Sequence, residues 1–400
     1  AAAAPAGRRS PSVPVQDGER AELVPFGPEG VQGAVLLREV GTGYLLALVG
    51  GKEADLSVFD RTHQACRQPG SVFKPVYYSA ALSMGFTAAT VLTDAPFKVE
   101  QEGSIFAYRA RNADRGFLGD MILADALARS RNIPSLKVFR YVGAAQAVQW
   151  ARNLGMVSPL EPVDALALGA SCVKPSEMAG VYALFAEEGR LRPELLVRRI
   201  TDSSGSTLLD RRHPADDRLD AAAALRLTMA HLEPPLATGM TPQLAYLTRA
   251  LLRQVVERGT AAGARGVGHP VAGKTGTTDS YDAWFIGFSA QRVGAVWVGP
   301  DENRRVLGKG EHGGKVALPI FAGLMQRVHG ALPVRELPGE PPPGVELAAV
   351  DPRSGALAGP GTAELILPFL AGTVPEEQAP GRAELGGEGE LDMDRLGGRF

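Results

Sequence analysis

Three short runs hold the side chains best suited to covalent chemistry, in this chain order: Ser71-Val72-Phe73-Lys74, Ser130-Arg131-Asn132 and Lys274-Thr275-Gly276-Thr277-Thr278. A serine and a lysine three residues apart share one face of a helix, so Lys74 can draw the proton from the Ser71 hydroxyl if it is neutral. Its reference pKa of about 10.4 must then be pulled down by burial or by a second cation. Lys274 is a candidate for that cation if its strand lies across the cleft. Ser130 has a hydroxyl that can relay a proton between Lys74 and a leaving amine, and the Asn132 amide can hold a peptide bond of a substrate. Lys274 with the Thr275 and Thr277 hydroxyls forms a receptor for a carboxylate, and Gly276 lets a ligand approach the strand edge. The backbone N–H groups of Ser71 and Thr277 would complete an oxyanion hole. Together these parts describe acyl transfer through a serine.

A Ser-x-x-Lys run alone is weak evidence, since one is expected about once by accident in a chain of this size. A second does occur, at Ser171-Cys172-Val173-Lys174. Order separates the two. The chain has four asparagines, at 112, 132, 153 and 303, and only Asn132 stands two after a serine. No Ser-x-Asn follows Ser171, and Lys-Thr-Gly occurs once among eight lysines.

The elements that must position these residues also show in the pattern. Gly33–Val40 and Tyr44–Gly50 read as two strands joined by Gly41-Thr42-Gly43. A buried helix is expected from Ser71 to about Met84, with Pro75 tolerated in its first turn. Residues 119–260 are helix-rich. Met178, Val181, Tyr182 and Phe185 fall on one helical face, read as packing, and Thr241–Gly259 forms another helix with Leu244, Leu247, Leu251, Val255 and Val256 inward. The period then switches, and Val271–Thr277, Asp282–Ala290 and Gly294–Gly299 read as an antiparallel meander. The fold class is therefore mixed α/β of the α+β kind: a five-stranded antiparallel sheet, built from both ends of the chain, flanked by helices and a helical lobe.

Composition narrows the partners. Four hundred residues, 45% apolar and 22% charged, support a full core, and a net charge of -2 argues against nucleic acid as ligand. Residues 334–400 carry 5 Lys+Arg against 12 Asp+Glu, or -7, leaving 37 against 32, or +5, for residues 1–333. The expected organisation is a linker-like leader at 1–29, a catalytic unit at 30–333 and a Pro/Gly-rich acidic tail at 334–400. Within the tail a short hairpin is read at Val345–Ala358, and the last 25 or so residues read as disordered. The six histidines show no metal-ligand spacing, so neither metal nor cofactor is expected. Two cysteines admit a Cys66–Cys172 disulfide outside the cytoplasm, but the sequence by itself favours two unpaired thiols. Asp282 and Trp284 read as packing and turn residues.

RQPGSVFKP with FDRTHQACRQPGS before it, KTGTTDSYDAWFIGFS, EMAGVYALFAEEG and EHGGKVALPIF resemble the transpeptidase domain of bifunctional, class A penicillin-binding proteins, over roughly residues 30–330. The resemblance implies the fold of that family and of the serine β-lactamases. It also implies D,D-transpeptidase activity on peptidoglycan stem peptides, carried by glycan strands derived from lipid II. Ser71 would attack the terminal D-Ala-D-Ala and be the residue that β-lactams acylate. An extracytoplasmic, periplasmic location is implied too. The family's glycosyltransferase domain and membrane anchor precede the transpeptidase and do not occur in these 400 residues, so a membrane contact would come only through an upstream anchor. Three alternatives share parts of this pattern: a serine β-lactamase or β-lactam sensor, a D-Ala carboxypeptidase, and an inactive wall-synthesis scaffold. Between Ser130 and Lys274 no glutamate is followed by the local asparagine that class A β-lactamases would show. The class A-like framework argues against a carboxypeptidase, and intact Ser71, Lys74 and Lys274 argue against a scaffold.

Overall fold

The computed structural model describes residues 30–52, 59–99, 108–214, 219–231, 239–278, 281–301, 307–308 and 310–380. The expected leader and most of the expected disordered end lie outside them. The described chain opens with β1 (Val31–Glu39) and β2 (Leu45–Val49), then a 3-10 turn at Gly70–Phe73 running into α1 (Lys74–Ser83). β3 (Val91–Asp94), β4 (Phe97–Val99), β5 (Tyr108–Ala110) and β6 (Gly119–Ile122) follow, pairing β3 with β6 and β4 with β5. Next come α2 (Leu123–Ala128), α3 (Asn132–Val142), α4 (Ala144–Asn153) and α5 (Pro175–Ala186), the ribbon of β7 (Arg199–Thr201) and β8 (Thr207–Asp210), then α6 (Ala221–His231) and α7 (Pro242–Arg258). β9 (Ala272–Thr278), β10 (Asp282–Phe288) and β11 (Arg292–Pro300) form the meander, before α8 (Gly313–His329), β12 (Val345–Val350) and β13 (Leu365–Leu370).

The central sheet has the order β2-β1-β11-β10-β9, antiparallel at every step, with Val35 opposite Val296 and Gly276 opposite Trp284. The five strands are those expected, with ends shifted by one or two residues. β10 is apolar on both faces because both are covered: Phe285 meets Phe321 of α8 at 4.6 Å between ring centroids, and Phe288 meets Tyr182 of α5 on the other side. Met178, Val181, Tyr182 and Phe185 are all buried, which makes that stripe a packing face. Helix α1 is buried along its length and packs against α3, α4 and α7. Its chemistry-bearing first turn therefore sits between the helical lobe and the sheet edge.

One expectation needs correction and another gains a strand. The chain between Gly70 and Phe73 is a 3-10 turn, and the α-helix begins only at Lys74; Val72 N–H donates to Pro69 O, and Pro75 has no N–H for a longer-range bond. At the C-terminal end the expected short hairpin closes around Asp351–Gly355, with Val350 paired antiparallel to Leu357 and the Ala358 N–H donating to Ala349 O, and Val345–Val350 pairs in addition with Leu365–Leu370. Asp351 accepts from the Ser354 N–H and its hydroxyl, closing a side-chain turn that redirects the chain before Leu357. Leu367 and Phe369 are buried, so this part of the expected tail is anchored by apolar contacts.

Candidate active site

The turn carrying Ser71 is held from three sides. Gly70 has φ +55°, in the left-handed region, and a Cβ there would lie 2.7 Å from Thr277 O. Gly276 is equally tight, since a Cβ would meet Pro69 O at 2.6 Å. Only glycine at both positions lets the Ser71 turn and β9 come this close. From the sheet, Trp284 Nε1 donates to Gln68 O at 2.9 Å, which gives Trp284 the packing role expected of it. Asp282 accepts from Trp297 Nε1 and Thr278 Oγ1, a structural role again, and burial raises its pKa. On the third side, Cys66 and Cys172 form a disulfide with 5.2 Å between Cα atoms. This corrects the preference for two unpaired thiols. Arg67 and Val173 exchange backbone hydrogen bonds, a two-stranded bridge that brings the neighbouring cysteines face to face.

Ser71 is half-buried on this turn, and the Lys74 N–H donates to its carbonyl. Three residues per 3-10 turn place Ser71 and Lys74 on one side. Lys74 is 0% exposed, and its Nζ donates to Asn132 Oδ1 at 2.9 Å, Ser130 O at 2.9 Å and Arg131 O at 3.2 Å, with Ser130 Oγ at 3.4 Å. Lys274, also 0% exposed, donates to Ser130 Oγ at 2.9 Å and Thr275 O at 3.1 Å. One hydroxyl thus lies between two lysines. Burial, then the Lys274 charge, then that of Arg131 push the Lys74 pKa well below the ordinary lysine range, and burial brings Lys274 down to about 7. Two ammonium groups sharing one dry hydroxyl cannot both keep their charge cheaply, so one amine in this pair is available as a base.

The strand side is oriented by its register. Thr277 O points at Gly70, and in an extended strand a residue's N–H lies on the same edge as its carbonyl, so the Thr277 N–H also faces the Ser71 turn. β9 is the terminal strand of the sheet, so no further strand pairs with this edge among the described residues. The two threonine hydroxyls differ. Thr277 Oγ1 accepts from the Gly313 N–H at the start of α8 and keeps its own proton to donate. Thr275 is buried, with Oγ1 2.8 Å from Thr260 Oγ1, so its hydroxyl is spent largely within the protein.

The structure therefore brings Ser71, Lys74, Ser130, Asn132, Lys274, Gly276 and Thr277 to one cleft and turns Thr275 toward Thr260. Several neighbours escaped the sequence reading. Ser130 has φ +56°, a costly conformation for a non-glycine residue. Around it, Arg131 pairs with Asp94 at 2.8 Å and Asp114 at 2.7 Å, and Asn112 Oδ1 accepts from the N–H groups of Asn132 and Ile133. The Asn132 amide is itself committed, with Oδ1 on Lys74 and Nδ2 donating to Arg111 O at 3.1 Å. No local pattern marks Asp94, Asn112 or Thr260 in the sequence.

The chain matches the penicillin binding protein transpeptidase domain family over residues 33–326. It is 34% identical over 363 residues to penicillin-binding protein 1A of Pseudomonas aeruginosa, covering 83% of this chain and 44% of that one. With penicillin-binding protein 1A of Neisseria lactamica it shares 36% over 300 residues, 74% of this chain and 36% of that one. The chain thus spans less than half the length of these relatives. Among solved structures, penicillin-binding protein 1A from Haemophilus influenzae superposes with a TM-score of 0.78 at 28% identity, covering 88% of this chain and 55% of that one. The PonA1 protein from Mycobacterium tuberculosis in complex with penicillin V, at TM-score 0.64 and 22% identity over 77% of this chain and 81% of that one, shares the fold. With the family matched across most of its length and both lysines converging on Ser130 below the Ser71 turn, the chain belongs to the penicillin-binding protein transpeptidase family.

Proposed function

We propose that this chain is a peptidoglycan D,D-transpeptidase that works through an acyl-enzyme on Ser71 and is acylated by β-lactams at the same residue. The observation that carries the reading is the Lys74–Ser130–Lys274 hydrogen-bond chain beneath the Ser71 turn. Neutral Lys74 takes the Ser71 proton as Oγ attacks the carbonyl carbon of the penultimate D-Ala. The N–H groups of Ser71 and Thr277 stabilise the oxyanion, a contribution typically worth about 100- to 1,000-fold per donor. Ser130 passes the proton from Lys74 to the nitrogen of the departing D-Ala, and Lys274, when charged, attracts the substrate's terminal carboxylate with the Thr277 hydroxyl. Asn132 holds the donor peptide through the second N–H of Nδ2, the first being given to Arg111 O. An amine of a neighbouring stem peptide then attacks the acyl-enzyme, and the proton returns along the same path.

Residues 30–333 form the catalytic unit in this reading. A Cys66–Cys172 disulfide suits an oxidising compartment, in line with work on the periplasmic face of the inner membrane. Among the described residues no helix is long and apolar enough to cross a membrane. The test is covalent labelling with a fluorescent penicillin. A persistent label lost in Ser71→Ala supports the reading; rapid turnover of the label points to a β-lactamase, and an unlabelled wild-type chain overturns the proposal.

A further inference from the structure

The turn that presents Ser130 and Asn132 is strained and must be held by something. Ser130 adopts φ +56°, and Asn132 is the first residue of α3. Behind this turn lies a hydrogen-bonded group whose centre is Asp94, 0% exposed on β3. Its Oδ2 accepts from Arg131 Nε at 2.8 Å and the Leu118 N–H at 3.2 Å, and its Oδ1 accepts from Asn112 Nδ2 at 2.7 Å. Asn112 Nδ2 also donates to Gly116 O at 2.8 Å, and its Oδ1 receives the N–H groups of Asn132 and Ile133, two of the donors a helix start leaves unpaired. Arg131 adds Asp114 and Gly116 O, at 2.7 and 2.6 Å. Each of these polar groups has a partner, and Asn112 joins the group to the backbone N–H groups of Asn132 and Ile133.

We infer that Asp94, Asn112 and Arg131 form a buried strut that sets Ser130 and Asn132 against Lys74, making them positioning residues for acyl transfer. The inference rests on the transpeptidase reading for its kinetic consequence, but not for its structural one. No side chain of the three touches a reacting atom; only the Arg131 carbonyl does, on Lys74 Nζ. Arg131 acts twice: its guanidinium ties the turn to Asp94, and its carbonyl accepts from Lys74 Nζ. The charged and titratable groups around Lys74 are Lys274 from β9 and Arg131, with Asp94 from β3 and Asp114 from the loop after β5 behind Arg131. Tyr78 of α1 hydrogen-bonds with Ser135 of α3, which donates to Arg131 O. Arg131 therefore supplies a fixed positive charge that helps keep Lys74 neutral.

The test compares wild type with Asn112→Ala, Arg131→Lys and the charge-balanced pair Asp94→Asn with Arg131→Gln, all in the full chain. Penicillin acylation rates are measured against pH, with hydrogen exchange of the peptide covering residues 130–135. Asn112→Ala is expected to slow acylation by about 100-fold, the cost of misplacing a catalytic group, and to speed exchange at Asn132 and Ile133. The double variant is expected to shift the acid limb of the acylation profile to higher pH, a change that loss of stability alone would not produce. Arg131→Lys keeps the charge but loses the fork that binds both aspartates, so its rate should fall while the limb stays in place. A folded double variant with the wild-type rate and limb, or Arg131→Lys with the wild-type rate, would overturn the strut. Should the double variant fail to fold, Arg131→Lys and Asn112→Ala decide. An unlabelled wild type refutes the transpeptidase reading instead, and unchanged exchange at residues 130–135 in Asn112→Ala then overturns the strut independently.

Discussion

Ser71–Lys74 and Ser171–Lys174 have the same end residues at the same spacing, and the fold uses them in opposite ways. In the first, a 3-10 turn stacks residues i and i+3, and Lys74 is fully buried against Ser130 and Asn132. In the second, Val173 pairs with Arg67 as an extended bridge and Lys174 has strand-like backbone angles before α5, so the serine and lysine diverge. Lys174 is exposed, and Ser171 Oγ accepts from the Glu161 N–H. Spacing becomes chemistry only when the backbone is helical and the lysine is stripped of water. The second run is not idle, since its Cys172 ties it to Cys66 and so braces the first.

Swapping effects between the two runs gives the sharpest contrasts. Ser71→Ala should abolish penicillin labelling, while Ser171→Ala keeps it at the wild-type level; gel fluorescence after a fixed exposure reads both. Lys74→Ala should slow acylation by about 100- to 10,000-fold, against no measurable change for Lys174→Ala in the same stopped-time assay. Equal rates for Lys74→Ala and wild type would remove Lys74 as the base.

The pH dependence divides the pair of buried lysines. Lys74 must be neutral, so acylation rises as pH climbs through its lowered pKa. Lys274 must be charged to attract a carboxylate, so acylation falls as pH passes its own value of about 7 in the free protein. The second-order rate should therefore pass through a maximum, with an alkaline limb well below the ordinary lysine range, and the two limbs belong to the coupled pair. A rate still rising at pH 10 would contradict this assignment. The smallest effect on chemistry is expected from Cys66→Ser with Cys172→Ser. Closing a 106-residue separation stabilises by about 4 to 5 kcal/mol in the chain-entropy picture, so denaturant unfolding should move far more than the acylation rate.

Much of this was legible in the chain. Gly33–Val40, Tyr44–Gly50, Val271–Thr277, Asp282–Ala290 and Gly294–Gly299 read as strands because short apolar runs and the turn signals between them are local. The order of the three reactive runs carried the site. Asp94, Asn112 and Arg131 were not legible, because each is a single polar residue whose partner lies 17 to 37 positions away. Tertiary contact alone creates the strut. The second partner of Val345–Val350 was missed for a related reason: the turn at Asp351–Gly355 pairs Val350 with Leu357 locally, but the longer ladder forms only when the chain returns at Leu365. The Cys66–Cys172 pairing likewise depends on the Arg67–Val173 bridge, which joins segments 106 residues apart.

One measurement tests the central claim most directly: exposure of the full chain to penicillin, digestion, and mass mapping of the adduct. The expected result is a single penicilloyl group on the peptide bearing Ser71, absent from Ser71→Ala. An unmodified chain, or an adduct on Ser130, Ser171 or any other residue, would contradict it.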